Sequence, residues 1–324
     1  MYDYLVLDSL NASTYKHLTY PWLQQRLDRL SSQNLTNIAL GVALQGQPVG
    51  LVFAECPKDQ RQANILSIFI APEHRQQGLG TALLMQIEQI LKESGCQQIN
   101  LLYSLNLTTP ILERMLKQQN WETPSFYSLQ CLTNLKAIKP APFLHRYSLP
   151  NKFTIFPWVE LTTQERTKIK QRDNGLNYPD ELCPFQEDRI ESFSTIGLRD
   201  DREEVIGWSI VEQLMPNFVV YRALFIKPEF QTTGLGVHLL AESINRQLTD
   251  EKVTEAMFIV QAENTMMTRF MKRHLAPYLT AINSFWKSSK SLQTSTSIEE
   301  NYIKSGSIGN ITRNQETAVP CPYN

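Results

Sequence analysis

Apolar and polar positions along this chain fall into one strand-loop-helix pattern that occurs twice. Ile65 to Ile70 is an apolar run rich in β-branched residues, which reads as a buried strand stopped by Pro72. Thr81 to Ser94 places Leu84, Ile87, Ile90 and Leu91 on one face and meets Gly95, so the spacing predicts an amphipathic helix. Between strand and helix lies Arg75-Gln-Gln-Gly-Leu-Gly80. Downstream, Val219 to Ile226 repeats the strand, Gln231-Thr-Thr-Gly-Leu-Gly236 repeats the loop, and a helix runs to Leu248. Phe225 to Leu240 aligns without gaps on Phe69 to Leu84, Pro-Glu and Gly-Leu-Gly included, 156 residues later. A match of that length implies a duplicated domain.

The same reading extends to both sides of each unit. In the first half, Tyr4 to Leu7 predicts a short strand, and Thr14 to Leu30 a helical stretch broken by Pro21. Ile38 to Leu44 and Pro48 to Glu55 predict a hairpin around Gln45-Gly-Gln. Gln98 to Tyr103 predicts a strand, Asn106 and Pro110 open a helix through Lys117, and Phe126 to Leu132 reads as a closing strand. In the second half, Phe153 to Glu160 predicts a strand, and Thr162-Thr-Gln-Glu165 a capping box opening a helix through Arg172. Ser194 to Leu198 and Val205 to Gln213 form the second hairpin. Met257 to Gln261 is a strand, Thr265 to His274 a helix, and Phe285-Trp286 the counterpart of Phe126-Tyr127. The expected division is a domain over 1–138, a linker over the proline-bearing 139–150, a second domain over 151–290, and a polar, disordered tail over 291–324. Tyr20-Pro21 aligns with Tyr178-Pro179, which leaves the first domain with a shortened N-lobe and the second with a complete one.

Composition narrows the function. A chain of 324 residues, 42% of them hydrophobic, suits two domains with real cores. The formal net charge of −1 argues against an electrostatic nucleic-acid binder. Cys56, Cys96, Cys131, Cys183 and Cys321 are scattered, with no Cys-x-x-Cys pair, so neither a disulfide framework nor a metal site is expected. No apolar run approaches the ~20 residues of a membrane span, and Met1-Tyr-Asp-Tyr-Leu lacks the order of a signal peptide. These absences lead to the expectation of a cytoplasmic protein with no membrane partner.

A strand, a glycine loop and a helix start together make an anion cradle, because glycine lets the backbone approach closely and the first helical N–H groups are free. No Gly-Lys-Ser/Thr follows the glycines, and their spacing is not the dinucleotide Gly-x-Gly-x-x-Gly. Arg/Gln-x-x-Gly-x-Gly, after a strand ending near Pro-Glu and opening an amphipathic helix, resembles the acetyl-CoA loop of the GNAT N-acetyltransferase superfamily. Up to about Lys290 the chain resembles two GNAT domains in tandem. The resemblance implies an α/β (α+β) fold with two tandem domains. Each would be a mixed, mostly antiparallel sheet with a splayed central strand and flanking helices. It implies acetyl-CoA or another acyl-CoA as cofactor and an amine acceptor, small molecule or protein amine. The implied activity is transfer of an acetyl group to a primary amine by direct attack on the thioester, with one copy open to being non-catalytic. The alternative is a CoA-binding regulatory or scaffold protein with degenerate sites.

Carried over residue by residue, the resemblance places Ile68, Phe69, Ile70 and Leu224, Phe225, Ile226 beside the acyl and pantetheine groups, where a main-chain N–H serves the oxyanion. Arg75, Gln76, Gln77, Gly78, Leu79, Gly80 and Thr81 would hold the pyrophosphate in the first copy. Gln231, Thr232, Thr233, Gly234, Leu235, Gly236 and Val237 would do so in the second. The first loop has a cation at Arg75 and a hydroxyl at Thr81 where the second has Gln231 and Val237. Asn106 and Asn264 either hold the pantetheine arm or cap the next helix. Glu55 and Glu212, each five residues after a glycine, are candidate general bases, or else solvated hairpin ends. The tyrosine general acid common in the family is absent: Leu116 and Met271 occupy its places, leaving Tyr103, Tyr127 and Tyr278 as candidates or as packing residues. Asp180 and Glu181 lie in a loop suited to attracting an amine or to plain solvation. His74 and His238 flank the loops at surface positions.

Overall fold

The structure, a computed structural model, describes residues 1–28, 30, 37–57, 61–146, 149–185 and 189–292. In chain order the elements are β1 (Tyr2–Val6), α1 (Pro21–Leu27), β2 (Asn37–Leu44), β3 (Gln47–Glu55), β4 (Gln62–Ile70), α2 (Leu79–Glu93), β5 (Gln98–Ser104), α3 (Thr109–Gln118) and β6 (Ser125–Asn134). There follow α4 (Leu135–Ile138), β7 (Thr154–Pro157), α5 (Thr163–Lys170), β8 (Ile196–Arg199), β9 (Val205–Met215), β10 (Phe218–Ile226), α6 (Leu235–Gln247), β11 (Glu255–Gln261), α7 (Thr265–Phe270) and β12 (Leu279–Ser291). The chain divides into two compact units. One comprises Met1–Tyr127 with residues 284–292, the other Ser128–Asn283. The tail expected after residue 291 lies, from 293 onward, outside the described residues, while Ser291 itself pairs with Gln98 in β5.

In unit 1 the sheet runs β1-β2-β3-β4-β5-β12. Gln45 and Gly46 both have positive φ, at 51° and 78°, the backbone that a two-residue hairpin turn requires, and they hold Leu44 opposite Gln47. Neighbours are antiparallel except β4 and β5, which are parallel with α2 as their crossover. Leu83, Leu84, Ile87 and Leu91 of α2 are wholly buried against one face of the sheet, each worth about 1.5–3 kcal/mol of burial. The other face is covered by Tyr15, Leu18, Leu23 and Leu27. Pro21 divides the stretch, as expected. It occupies the first turn of α1, where its missing N–H costs nothing, and a 3-10 turn over Ala12–Leu18 precedes it. The N-lobe, with fewer elements before its hairpin than that of unit 2, still covers this face.

In unit 2 the sheet runs β6-β11-β10-β9-β8-β7, with α6 crossing between the parallel β10 and β11. The capping box of α5 is present: Thr162 Oγ1 accepts from Glu165 N–H at 3.2 Å and Glu165 Oε2 accepts from Thr162 N–H at 2.8 Å. The strand expected over Phe153–Glu160 is shorter, giving way to a 3-10 turn at Trp158–Glu160. The helix expected through His274 changes at Phe270 into a π turn over Met271–Leu275.

The closing strands are where expectation and structure part. Ser128 to Asn134 of β6 pair with Gln261 to Glu255 of β11, in unit 2. Phe285 to Ser291 of β12 pair with Ser104 to Gln98 of β5, in unit 1. Each half of the sequence therefore gives its last strand to the other half's unit. Side-chain bonds fix the returning strand in unit 1: buried Glu88 accepts from Trp121 Nε1–H at 2.7 Å and forms an ion pair with Lys290, while Ser289 Oγ donates to Asn100 Oδ1 at 2.9 Å. The stretch 139–150 is likewise no bare linker, since Ala141, Phe143 and Leu144 are buried in the core of unit 2.

Cys56 and Cys96 are joined in a disulfide and Cys183 is disulfide-bonded too, contrary to the expectation drawn from their spacing. The end of β3 and the end of α2 bring the first pair into one core, a proximity that linear spacing does not reveal. The cysteine argument for a reducing compartment falls with it. Among the described residues no group of three or more His, Cys, Asp or Glu side chains is placed to hold a metal, and no helix is long and apolar enough to cross a membrane.

Candidate active site

The site in each unit begins with a β-bulge. On the β3 side, Phe53 faces Ser67 and Ala54 faces Ile65, so Leu66 is the extra residue. On the β5 side, pairing runs from Gln62 opposite Gln98 to Ile65 opposite Leu101 and then stops. Beyond it β4 continues to Ile70 along β3 alone. Unit 2 repeats this at the equivalent residues. Pairing of β10 with β11 ends at Tyr221 opposite Phe258, Arg222 is the bulged residue, and Ala223 to Ile226 continue along β9 alone. An added residue bends a strand and raises its twist, which opens the gap between the parallel neighbours. Ile68 to Ile70 and Leu224 to Ile226 therefore line a splay in each unit.

Both loops leave the splay in the same way. Ala71 N–H donates to Val49 O and Lys227 N–H to Ile206 O, each at 2.8 Å. Arg75 Nε–H donates to Ile70 O at 2.9 Å, and Gln231 Nε2–H donates to Ile226 O at 2.9 Å. One long polar side chain thus braces the turn onto the last carbonyl of the strand in either unit. Arg75 also lies 5.6 Å from the centre of the Phe69 ring. Its expected part as a phosphate cation is shared with this brace, which needs a donor of sufficient length and no charge. Gly78 and Gly234 start α2 and α6 with φ of 80° and 84°, a left-handed backbone that a side chain strains. A Cβ on either would meet nothing within 4 Å, and on Gly80 or Gly236 nothing nearer than 3.5 Å. The glycines therefore keep space open outside the loop.

After Arg75 the two loops differ. The N–H groups of Gln76, Gln77, Gly78, Leu79, Gly80 and Thr81 have no hydrogen-bond partner among the described residues, and Gln76 itself has a positive φ of 61°. Successive free N–H groups in alternating backbone conformations form an anion nest at the start of α2. In the second loop, Pro228–Thr233 coils into a 3-10 helix, which turns the N–H groups of its later residues onto its own carbonyls. Thr233 Oγ1–H donates inward to Phe230 O at 2.6 Å, and Val237 N–H bonds Gly234 O at 3.0 Å. Only the N–H groups of Gly234, Leu235 and Gly236 are left over among the described residues. The residues of the first loop fit a pyrophosphate well; those of the second fit it less completely.

The candidate acids and bases are mostly engaged elsewhere. Glu55 sits opposite Asn64, on the paired side of the splay, and its Oε2 is 3.2 Å from Arg26 Nη1. Glu212 sits opposite Val220, again before the splay, and forms an ion pair with Arg222 in which both side chains are largely buried. Leu116 and Met271 are core residues. Tyr103 extends from β5 beyond the splay point, and its hydroxyl donates to Glu113 Oε1 of α3 at 2.8 Å. Burial and then this hydrogen bond push the Tyr103 pKa well above the usual tyrosine value, so its proton stays on and is directed at Glu113. A Lys287 ammonium lies 5.6 Å from the Tyr127 ring centre, and Tyr278 bonds Thr133 through its carbonyl. Asn106 Oδ1 accepts from Thr108 N–H at 2.8 Å, and Asn264 Oδ1 accepts from Met267 N–H at 2.9 Å, so both act as turn or cap residues. Asp180 is paired with Arg172, and Glu181 is exposed. His74 meets the Tyr2 hydroxyl at 3.1 Å, while burial lowers the His238 pKa. Arg222 carries one signal in the sequence, a cation inside an otherwise apolar strand.

Comparison with known proteins agrees with the fold. The family model described as acetyltransferase (GNAT) matches residues 5–108 and 158–275. Among solved structures, the chain is similar to a tandem GNAT protein from the clavulanic acid biosynthesis pathway, at a TM-score of 0.67 and 13% identity, over 91% of this chain and 100% of that one. It is similar to a GCN5-related N-acetyltransferase from Sphaerobacter thermophilus, at a TM-score of 0.66 and 13% identity, over 90% and 96% of the two chains. Likenesses at this identity speak for the fold. No curated protein matches the sequence.

Proposed function

We propose that this chain, which belongs to the acetyltransferase (GNAT) family, is an acyl-CoA-dependent N-acyltransferase whose cofactor site is the loop and splay of unit 1. Acyl-CoA would supply an acyl group activated as a thioester, and direct attack by a primary amine forms the N–C bond as the C–S bond breaks and CoA thiolate departs. The observation that carries the reading is the run of unbonded N–H groups from Gln76 to Thr81 beside the splay at Ile68 to Ile70. The N–H groups and the start of α2 hold the pyrophosphate. The free edge of β4 offers main-chain donors where negative charge develops on the acyl oxygen, a position at which fixed dipoles act without reorganising. Thr81 adds a hydroxyl and Arg75 a cation held in place by its bond to Ile70 O. Glu55 accepts the amine proton, directly or through water, after release from Arg26. In unit 2, Glu212 would fill that role only by leaving Arg222, which costs the buried pair. The thiolate leaves without a tyrosine proton donor.

The test is to incubate the full chain with acetyl-CoA and a panel of amines, small and peptidic, and follow thiol release. Turnover that disappears in Gly78→Glu is expected; no turnover with any amine counts against the proposal. A second reading, a CoA-binding regulatory or scaffold protein, is favoured by the ion-paired state of both Glu55 and Glu212. Tight acetyl-CoA binding with no thiol release would select it.

A further inference from the structure

The geometry points to a second anion site in unit 2, remote from its glycine loop, shaped for the phosphate of a small phosphate monoester. A cavity of about 270 Å³ is lined by Arg146, Arg273 and His274, with Phe143, Pro277 and Tyr278 as apolar and aromatic walls. Three observations make it a site. First, Arg146 and Arg273 approach it from separate parts of the chain, one beyond a 3-10 turn at Pro142–Leu144 and the other beyond α7. Among the described residues neither guanidinium has a carboxylate or a hydrogen-bond acceptor. Both arginines are exposed, and two like charges beside one cavity attract an anion between them, less strongly as salt rises.

Second, the backbone is arranged to present them. The π turn over Met271–Leu275 interrupts regular helix where Arg273 and His274 face the cavity. Such single π turns cost helix regularity and recur at ligand sites. Met271 and Leu275 on the same turn are buried, so core packing fixes the backbone that carries Arg273 and His274. Third, the opposite wall is anchored. Phe143 packs edge-on against Phe270 at 5.6 Å between ring centres, and Leu144 O accepts from Asn245 Nδ2–H of α6 at 3.0 Å. Asn245 lies eleven residues along α6 from Gly234, about 16 Å at 1.5 Å per residue, so the cavity is separate from the glycine loop.

The chemistry selects the ligand class. Each guanidinium offers a planar fork that meets two phosphate oxygens at once. A phosphate monoester carries a charge of about −1.5 to −2 at neutral pH, matching two arginines, where a carboxylate matches one. The volume lies just under the usual range for small-molecule pockets, room for a phosphate and one small ring against Phe143 and Tyr278.

The test is calorimetric titration of the full chain with phenyl phosphate, with inorganic phosphate and benzoate as comparison probes. Phenyl phosphate should bind more tightly than inorganic phosphate, and benzoate, with one carboxylate on the same ring, more weakly than phenyl phosphate. The double substitution Arg146→Gln, Arg273→Gln should weaken phenyl phosphate at least about tenfold, the loss expected for two charge-assisted forks. Gly78→Glu and Gly234→Glu should leave that binding unchanged. Should the double variant be misfolded by circular dichroism, Arg273→Lys keeps the charge, removes the fork, and should weaken binding severalfold. Binding unaffected by the arginine substitutions, abolished by a loop substitution, or matched by benzoate would overturn the assignment.

Discussion

Two loops that share Gly-Leu-Gly differ in how many backbone N–H groups they leave free. Residues 75–80 and 231–236 share the Gly-Leu-Gly core, the brace to the strand's last carbonyl and the left-handed glycine before the helix. Through Thr81 and Val237 they part at four aligned positions, Arg75/Gln231, Gln76/Thr232, Gln77/Thr233 and Thr81/Val237. Thr232-Thr233 lets the chain coil into a 3-10 turn that consumes its own N–H groups, whereas Gln76 takes a left-handed φ and leaves them free. Val237 has no hydroxyl where Thr81 has one. The lesson is that a glycine motif specifies the room for an anion, and the residues between the brace and the glycine decide whether donors are left to meet it.

The largest expected effect is on cofactor binding. Gly78→Glu puts a carboxylate and a strained backbone in the nest, strain alone costing about 1–2 kcal/mol, and should weaken CoA at least about a hundredfold. Gly234→Glu should change it by far less. Equal losses, read by calorimetry, would break the comparison. Next in size is stability of unit 1. Glu88→Ala strands Lys290 and Trp121 Nε1–H, and should cost about 2–4 kcal/mol in denaturant unfolding, below a fully buried pair because Lys290 keeps 20% of its side chain exposed. Since Lys290 belongs to the returning β12, no loss in Glu88→Ala would contradict the strand exchange described above.

Two smaller effects sharpen the contrast. Arg75→Gln converts the first brace into the second. It should keep the loop's shape, as Gln231 does, and lower CoA affinity by only the about 0.2–1 kcal/mol of a partly exposed charge. In unit 2, burial raises the Glu165 pKa, but hydrogen bonds from Arg199 and Thr162 outweigh it and hold the carboxyl below its ordinary 4.5. A depressed folded pKa contributes stability that is present above the unfolded value and lost as pH falls through the folded one. Unfolding free energy measured across that acid range should fall less steeply in Glu165→Gln.

Much of this was readable from the chain because it is local. The repeat, both hairpins, the capping box at Thr162 and Glu165, and the two glycine helices follow from spacings within a few residues. What was not readable depends on partners distant in sequence. Phe126 to Leu132 and Phe285-Trp286 are strand-like wherever they pair, and alternation fixes which face is buried but not which neighbour is met. The exchange of closing strands is therefore a property of β5 and β11 as much as of β6 and β12. The bulges at Leu66 and Arg222 insert a single residue with no turn signal to mark it. Arg75 reads as a phosphate cation by charge; its hydrogen bond to Ile70 O is visible only in three dimensions, and Gln231 discloses the brace because it makes the same bond without charge.

The central claim is that unit 1 holds the acyl-CoA and unit 2 does so poorly or not at all. The stoichiometry of acetyl-CoA binding to the wild-type full chain, measured by isothermal titration calorimetry, tests it most directly. One tight equivalent per chain, retained in Gly234→Glu and lost in Gly78→Glu, is the predicted result. Two equivalents of similar affinity, or a single one lost in Gly234→Glu, would contradict it.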